Sequence, residues 1–290
     1  MDNHGSHMLT PAEIVQANIK LEENRAKMPF MKMVVLGILA GVFISCGAQA
    51  SNVAMHTIPN LGTARIVAGC VFAIGLMFVV FIGAELFTGD CLLILGVLEK
   101  KVKAITMVRI LIVVFISNLI GSLMVVSLVN FSGQFGYSND MLGAFTIKVA
   151  MDKVGKGFGA SLASGILCNV FVCGAVLMMT SAKDAAGKVW TCFFSILAFI
   201  VSGFEHCVAN MYYIPAGIVA KNNEAYATKA MELYGYTKEQ LNGLDIKSFI
   251  VDSTLPVTIG NMIGGIILVG LTMWLAYCKN YDKKEKNLTK

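Results

Sequence analysis

Gly203-Phe204-Glu205-His206-Cys207-Val208-Ala209-Asn210 sets a carboxylate and a histidine inside a run, about 188–220, that is otherwise apolar enough to lie in a bilayer. Ionisable groups at membrane depth are costly and mark substrate or ion paths. Earlier in the chain, Gly83-Ala84-Glu85-Leu86-Phe87-Thr88-Gly89-Asp90 has the same Gly-x-Glu start and a similarly apolar approach. Two such interruptions in corresponding halves of a membrane protein point to a binding site built from broken helices.

Composition agrees. The chain has 290 residues, of which 56% are hydrophobic and 14% charged, with a mean hydropathy of +0.71. A soluble domain carries about 25% charged residues, so this is a polytopic membrane protein. The net charge of +5 comes from flanks and short loops and implies no nucleic-acid partner. Met1–His7 reads as an expression-tag remnant, which leaves His56 and His206 as the remaining histidines. Eight cysteines fall almost entirely in apolar runs, without a C-x-x-C pair or histidines at ligand spacing. They read as small buried hydrophobes, so no metal, cofactor or disulfide framework is expected. One membrane histidine cannot supply bis-histidine haem, and no nucleophile motif accompanies it, so an enzyme is not expected.

Thr10-Pro11-Ala12-Glu13 has the chemistry of a helix start: a cap, a first-turn proline and a capping-box glutamate. Residues 8–32 form an amphipathic helix before the first span, a surface anchor or a lid over a pore entrance. Spans follow at about 33–54, 65–98, 104–130, 157–181, 188–220 and 254–278. The second is too long for one crossing of about 20 residues, and the 83–90 interruption divides it. Residues 131–156 read as a polar outer segment, 221–253 as a polar linker with a helical patch at 224–233, and 281–290 as a lysine-rich tail. Lysines and arginines concentrate beside the span ends that share a side with both termini, which places both termini in the cytoplasm.

Three echoes link the halves. Cys46-Gly47-Ala48 recurs as Cys173-Gly174-Ala175, Gly83-Ala84-Glu85 as Gly203-Phe204-Glu205, and Asn118-Leu119-Ile120-Gly121 as Asn261-Met262-Ile263-Gly264. The unit is three spans, about 33–130 and 157–280. An odd count makes the second copy enter from the opposite side, giving an inverted repeat in which helices two and five are broken.

At Gly-Ala-Glu-Leu-Phe-Thr-Gly (83–89) and Gly-Phe-Glu-His-x-x-Ala-Asn (203–210), followed by Met211 and Pro215, the chain resembles the formate/nitrite transporter family. The likeness covers essentially all of residues 30–280. It implies an all-α, aquaporin-like channel domain at 33–280 in a bacterial inner (plasma) membrane, assembled as a homopentamer. It also implies small monovalent anions as cargo: formate, nitrite or hydrosulfide. By the same resemblance His206 is the central pore histidine and Thr88 the threonine facing it. Asn169 is the polar residue nearby, and Asn261 a pore-side asparagine of span six. Leu76 and Leu86 form an inner constriction, Phe72 and Phe199 an outer one, and Lys153 draws anions to the mouth. Glu85 stands where formate channels commonly have aspartate and Gly89 where they often have serine, which brings the pattern closer to the hydrosulfide branch.

Physical chemistry supplies roles beside the resemblance. An imidazole with an unperturbed pKa of about 6.5 can hydrogen-bond or protonate an anion facing an apolar constriction. Hydrophobic rings exclude hydrated ions by dewetting. Glu85 and Glu205 are expected to cap backbone N–H groups freed in the breaks, since a bare negative charge facing an anion path would defeat the purpose. A neutral-solute channel of the water or glycerol kind is the alternative, although neither break carries Asn-Pro-Ala.

Overall fold

A computed structural model describes residues 8–279. The expected tag remnant at 1–7 and the tail at 281–290 lie outside the described residues. The described chain is almost wholly helical. Helix α1 (Pro11–Ala26) is followed by α2 (Phe30–Met55) and α3 (Leu61–Ile82). Next come α4 (Phe87–Leu98), with a turn at its centre, α5 (Ala104–Phe131) and α6 (Met141–Val154). The second half contains α7 (Phe158–Ser181), α8 (Ala185–Ser202), α9 (Cys207–Lys221), α10 (Glu224–Tyr234), α11 (Lys238–Asn242) and α12 (Ile246–Tyr277). Among the described residues six helices, α2, α3, α5, α7, α8 and α12, are long and apolar enough to cross a membrane.

Local chemistry accounts for the boundaries. Thr10 and Glu13 close the expected capping box at α1: Thr10 N–H donates to Glu13 Oε2 at 2.8 Å, and Glu13 N–H donates to Thr10 Oγ1 at 3.4 Å. Asn60 Oδ1 caps α3, and Asp184 Oδ1 caps α8. Helices α3 and α8 both stop at a glycine in the left-handed region, Gly83 at φ +82° and Gly203 at φ +68°, where an L side chain would be strained. Three extended residues follow each glycine before α4 and α9 begin. These are the two breaks.

Two segments depart from the sequence reading. Residues 141–154 are not part of a polar loop but a helix, α6, that buries Leu142, Ala144, Phe145, Ile147 and Ala150 against α9 and α10. Lys148 and Asp152, four residues apart, pair on its outer side at 2.5 Å, and the polar residues 132–140 before it conceal its apolar face. Span six begins at Ile246 rather than near 254, because Asp245 caps it by accepting from Ser248 N–H at 2.8 Å. That span contains two wide π-helical stretches, Phe249–Thr254 and Ile263–Leu271, on either side of the α-helical turn bearing Asn261.

The two halves pack alike. A Cβ at Gly121 of α5 would lie 2.0 Å from Ile38 O of α2, and one at Gly264 of α12 would lie 2.2 Å from Ile166 O of α7. Backbones in contact through small residues are the usual means by which membrane helices associate. Because these two glycines occupy the same place in the third echo, the contact equates α2/α5 with α7/α12.

Candidate functional site

The breaks leave backbone groups without helical partners at membrane depth, and one asparagine per half satisfies them. Asn118 Oδ1 accepts from Phe87 N–H at 3.0 Å, while its Nδ2 donates to Gly37 O at 2.8 Å and Glu85 O at 3.0 Å. Asn261 Oδ1 accepts from Cys207 N–H at 2.9 Å, and its Nδ2 donates to Gly165 O at 2.7 Å and Glu205 O at 3.0 Å. Both side chains are fully buried. The capping expected of Glu85 and Glu205 is thus done by Asn118 and Asn261. A neutral amide both donates and accepts, so it can hold an N–H and two carbonyls at once, which a carboxylate cannot.

The carboxylates face cations instead. Glu85 Oε2 lies 2.6 Å from Arg25 Nε, at the end of α1. Glu205 is bound by Lys153 at 2.8 Å, from the end of α6, and by Lys156 at 2.9 Å. Each break is therefore braced by a cation from the short helix that precedes its own half. Lys153 also lies 4.9 Å above the centre of the Tyr213 ring, and only 15% of its side chain is exposed.

Between the breaks, Thr88 Oγ1 and His206 Nε2 are 2.9 Å apart. His206 also caps α9, its Nδ1 accepting from Ala209 N–H at 3.1 Å. An Nδ1 that accepts a bond carries no proton, so the ring is a neutral imidazole with its proton on Nε2, facing Thr88. Asn169 sits behind this pair, its Nδ2 donating to Thr88 O at 3.2 Å and Asn261 O at 2.7 Å. Asn169 and Asn261 therefore hold the threonine and histidine loops in place.

Two cavities approach the pair from opposite ends of α3 and α8. One, of about 610 Å³, is lined by Asn52, Arg65, Lys153, Lys156, Phe199 and His206 among others. The other, of about 380 Å³, is lined by Arg25, Leu76, Glu85, Leu86, Asp90 and Lys188 among others. Apolar side chains stand where they converge: Phe72, Leu76, Leu86 and Phe199 are each at most 3% exposed. The Phe72 and Phe199 rings meet edge to face at 6.1 Å, and Phe199 is also 6.1 Å from the His206 ring. The structure thus brings Thr88, His206, Phe199 and Phe72 to one place, while Leu76 and Leu86 line the smaller cavity. Sequence reasoning missed Asn118 as a clamp, although its echo in Asn261 was available, and missed Arg25 and Lys156 as partners of the break carboxylates.

Two opposed cavities with buried apolar side chains between them, inside a bundle of six helices able to span a membrane, have the architecture of a membrane transport protein. Residues 12–275 match the family model described as formate/nitrite transporter. The formate channel FocA of Escherichia coli (strain K12) is 33% identical over 278 residues, covering 95% of this chain and 96% of that one. The probable formate transporter of Methanothermobacter thermautotrophicus is 32% identical over 293 residues, covering 95% and 99%. A solved pentameric formate channel with formate bound superposes with a TM-score of 0.76 at 32% identity, over 86% of this chain and 98% of that one. The chain belongs to the formate/nitrite transporter family.

Proposed function

We propose that the protein is a channel for the small monovalent anions of weak acids, and that Thr88 and His206 are the groups its substrate meets at the narrowest point. The observation that carries this reading is the 2.9 Å Thr88–His206 contact, with a cavity lined by Phe199 and His206 on one side and a cavity lined by Leu76 and Leu86 on the other. An anion entering an apolar constriction loses hydration worth far more than thermal energy. His206 Nε2–H and the Thr88 hydroxyl replace part of that hydration with hydrogen bonds. With Nδ1 fixed as an acceptor, the resting histidine acts as a hydrogen-bond donor and has no second proton to release.

Formate, nitrite and hydrosulfide fit the space and chemistry, and each becomes a small neutral acid on taking one proton. Glu85 and Gly89 favour hydrosulfide. The larger cavity, with Arg65, Lys153 and Lys156 in its wall, concentrates anions, although Lys153 does so as half of an ion pair with Glu205. The likeness to a pentameric channel supports a homopentamer, and the distribution of lysines supports cytoplasmic termini in a bacterial inner membrane.

The test is uptake of hydrosulfide, formate, nitrite and chloride into liposomes holding the purified protein, with and without His206→Ala. A large loss of weak-acid flux in the variant is expected. Equal flux with the same pH profile would rule out the role of the histidine, and no wild-type flux above empty liposomes would rule out the channel.

A further inference from the structure

The two breaks are alike in backbone and opposite in charge. Counting seven residues from each break glycine reaches Asp90 in the first half and Asn210 in the second. Asn210 donates its amide N–H to Glu205 Oε2 at 2.9 Å and to Ser253 Oγ at 2.9 Å. Asp90 occupies the matching place, its carboxyl sharing Arg25 Nε with that of Glu85. An ionised Asp90 has no hydrogen to donate where Asn210 donates one; only the protonated acid does.

The surrounding charges point the same way. In the second half one carboxylate, Glu205, faces two lysines. In the first half one guanidinium faces three carboxyls: Arg25 contacts Glu22 at 2.6 Å, Glu85 at 2.6 Å and Asp90 at 3.4 Å. Glu22, Glu85 and Asp90 are 2%, 5% and 1% exposed. Like charges buried this close do not all ionise. Burial pushes the Glu22 carboxyl up against the pull of Arg25. The other cation in this cavity wall is Lys188, at the start of α8. Asp90 lines the cavity, and its Oδ2 has no hydrogen-bond partner.

We propose that Asp90 is a carboxylic acid in the resting protein and the proton donor to the transported anion, two residues from Thr88 in the α1-side cavity. The proposal rests on the channel reading above and supplies the proton that His206 lacks. In the step the Asp90 O–H bond breaks and a new bond forms to the anion's oxygen or sulfur. The anion becomes the neutral acid, crosses the apolar barrier and gives its proton to water on the far side, while the Asp90 carboxylate takes a proton from hydronium in the α1-side cavity. One proton thus moves with each anion, and no other reactant is consumed. Passage in the opposite direction reverses the transfer.

The full chain in liposomes, with formate and chloride as probes and a pH dye inside, tests the proposal. Asp90→Asn keeps a donor to Glu85 and so preserves a purely structural role, but it cannot give up a proton. The formate-to-chloride flux ratio is expected to fall at least about tenfold in this variant, and the pH dependence of formate flux to flatten. Asp90→Glu is expected to restore the pH dependence. If wild type carries formate and Asp90→Asn keeps the same ratio and pH profile, the proton role is wrong while the channel reading stands. If wild type carries no formate, nitrite or hydrosulfide, the channel reading fails first. Infrared spectra of the wild type give an independent check that does not depend on folding of the variant. A protonated carboxyl C=O band is expected at neutral pH, and its absence would overturn the proposal.

Discussion

Asn118 and Asn261 make the same three hydrogen bonds in the two halves of the molecule, each to the backbone of its break and to the helix at its back. The pair holds the loops that bear Thr88 and His206 and lines neither of the two cavities. Replacing Asn261 by Ala strands Cys207 N–H and two carbonyls in a buried place. At about 1–3 kcal/mol for each group left unpaired, Asn118→Ala and Asn261→Ala are each expected to cost about 3 kcal/mol or more. Thermal unfolding of the detergent-solubilised protein would show this as a large drop in midpoint. A shift indistinguishable from a surface variant would mean that the clamps are incidental.

Removing Arg25 leaves Glu22, Glu85 and Asp90 around an empty place. Arg25→Met is expected to destabilise by about 3–5 kcal/mol, the range for breaking a buried ion pair by losing one partner. Glu22→Gln in the same background should recover part of the loss, since it removes one of the stranded charges. Limited proteolysis near residues 26–30 would report release of α1. Unchanged protection in Arg25→Met would show that apolar packing alone holds the helix.

Close backbone contact at Gly264 leaves no room for a methyl group, with Ile166 O where the Cβ would be. Gly264→Ala is expected to cost at least about 2 kcal/mol and to lower the yield of assembled protein. Gly159, which has open space around its Cβ position, is the control. Equal yields of the two variants would contradict the packing described for α7 and α12.

The apolar barrier makes a separate prediction about leakage. Phe72→Ala with Phe199→Ala removes both rings of the edge-to-face pair and is expected to raise chloride and water permeability of liposomes while the weak-acid flux falls relative to them. A double variant as chloride-tight as wild type would place the barrier elsewhere.

The capping box of α1 gives a pH prediction. Backbone and side-chain bonds from Thr10 hold the Glu13 carboxyl below its ordinary value. A carboxylate depressed on folding stabilises above its unfolded pKa of about 4.3, and that gain is lost as pH falls through the folded value. Protection against hydrogen exchange in the first turn of α1, corrected for the intrinsic pH dependence of exchange, is therefore expected to fall below about pH 4, and Thr10→Ala to abolish that fall. An identical profile in the variant would mean that the box does not hold the turn.

Much of this architecture is legible in the chain itself. The two Gly-x-Glu interruptions mark both breaks, the Thr10–Glu13 pair marks the start of α1, and the Asn-x-Ile-Gly echo marks the helices that touch through Gly121 and Gly264. All of these are local signals, in which a few adjacent residues fix a backbone conformation. What escapes is non-local. Nothing near Glu85 in sequence indicates that Arg25 is its partner, and nothing near Glu205 singles out Lys153 and Lys156. Helix α6 escapes for a different reason: its 14 residues are too few to cross a membrane, and the polar, glycine-containing stretch at 132–140 just before it draws the whole segment into one loop. The clamps at Asn118 and Asn261 were visible as a repeat, but their bonds depend on how close α2 and α7 come.

One contact made by α1 bears on how the protein is built in the cell. Val15 and Ile19 share an apolar cluster with Leu92 and Leu95 of α4, Leu177 of α7 and Val269 of α12, and Gln16 Nε2 donates to Cys278 Sγ at 3.6 Å. The seat of α1 is thus assembled from three separate parts of the chain, and it is complete only when α4, α7 and α12 are all in place. Loss of any one of them strips part of the apolar cover from Val15 and Ile19 and loosens the helix that carries Arg25 to Glu85 and Asp90. The docked state of α1 therefore reports whether the rest of the bundle has come together.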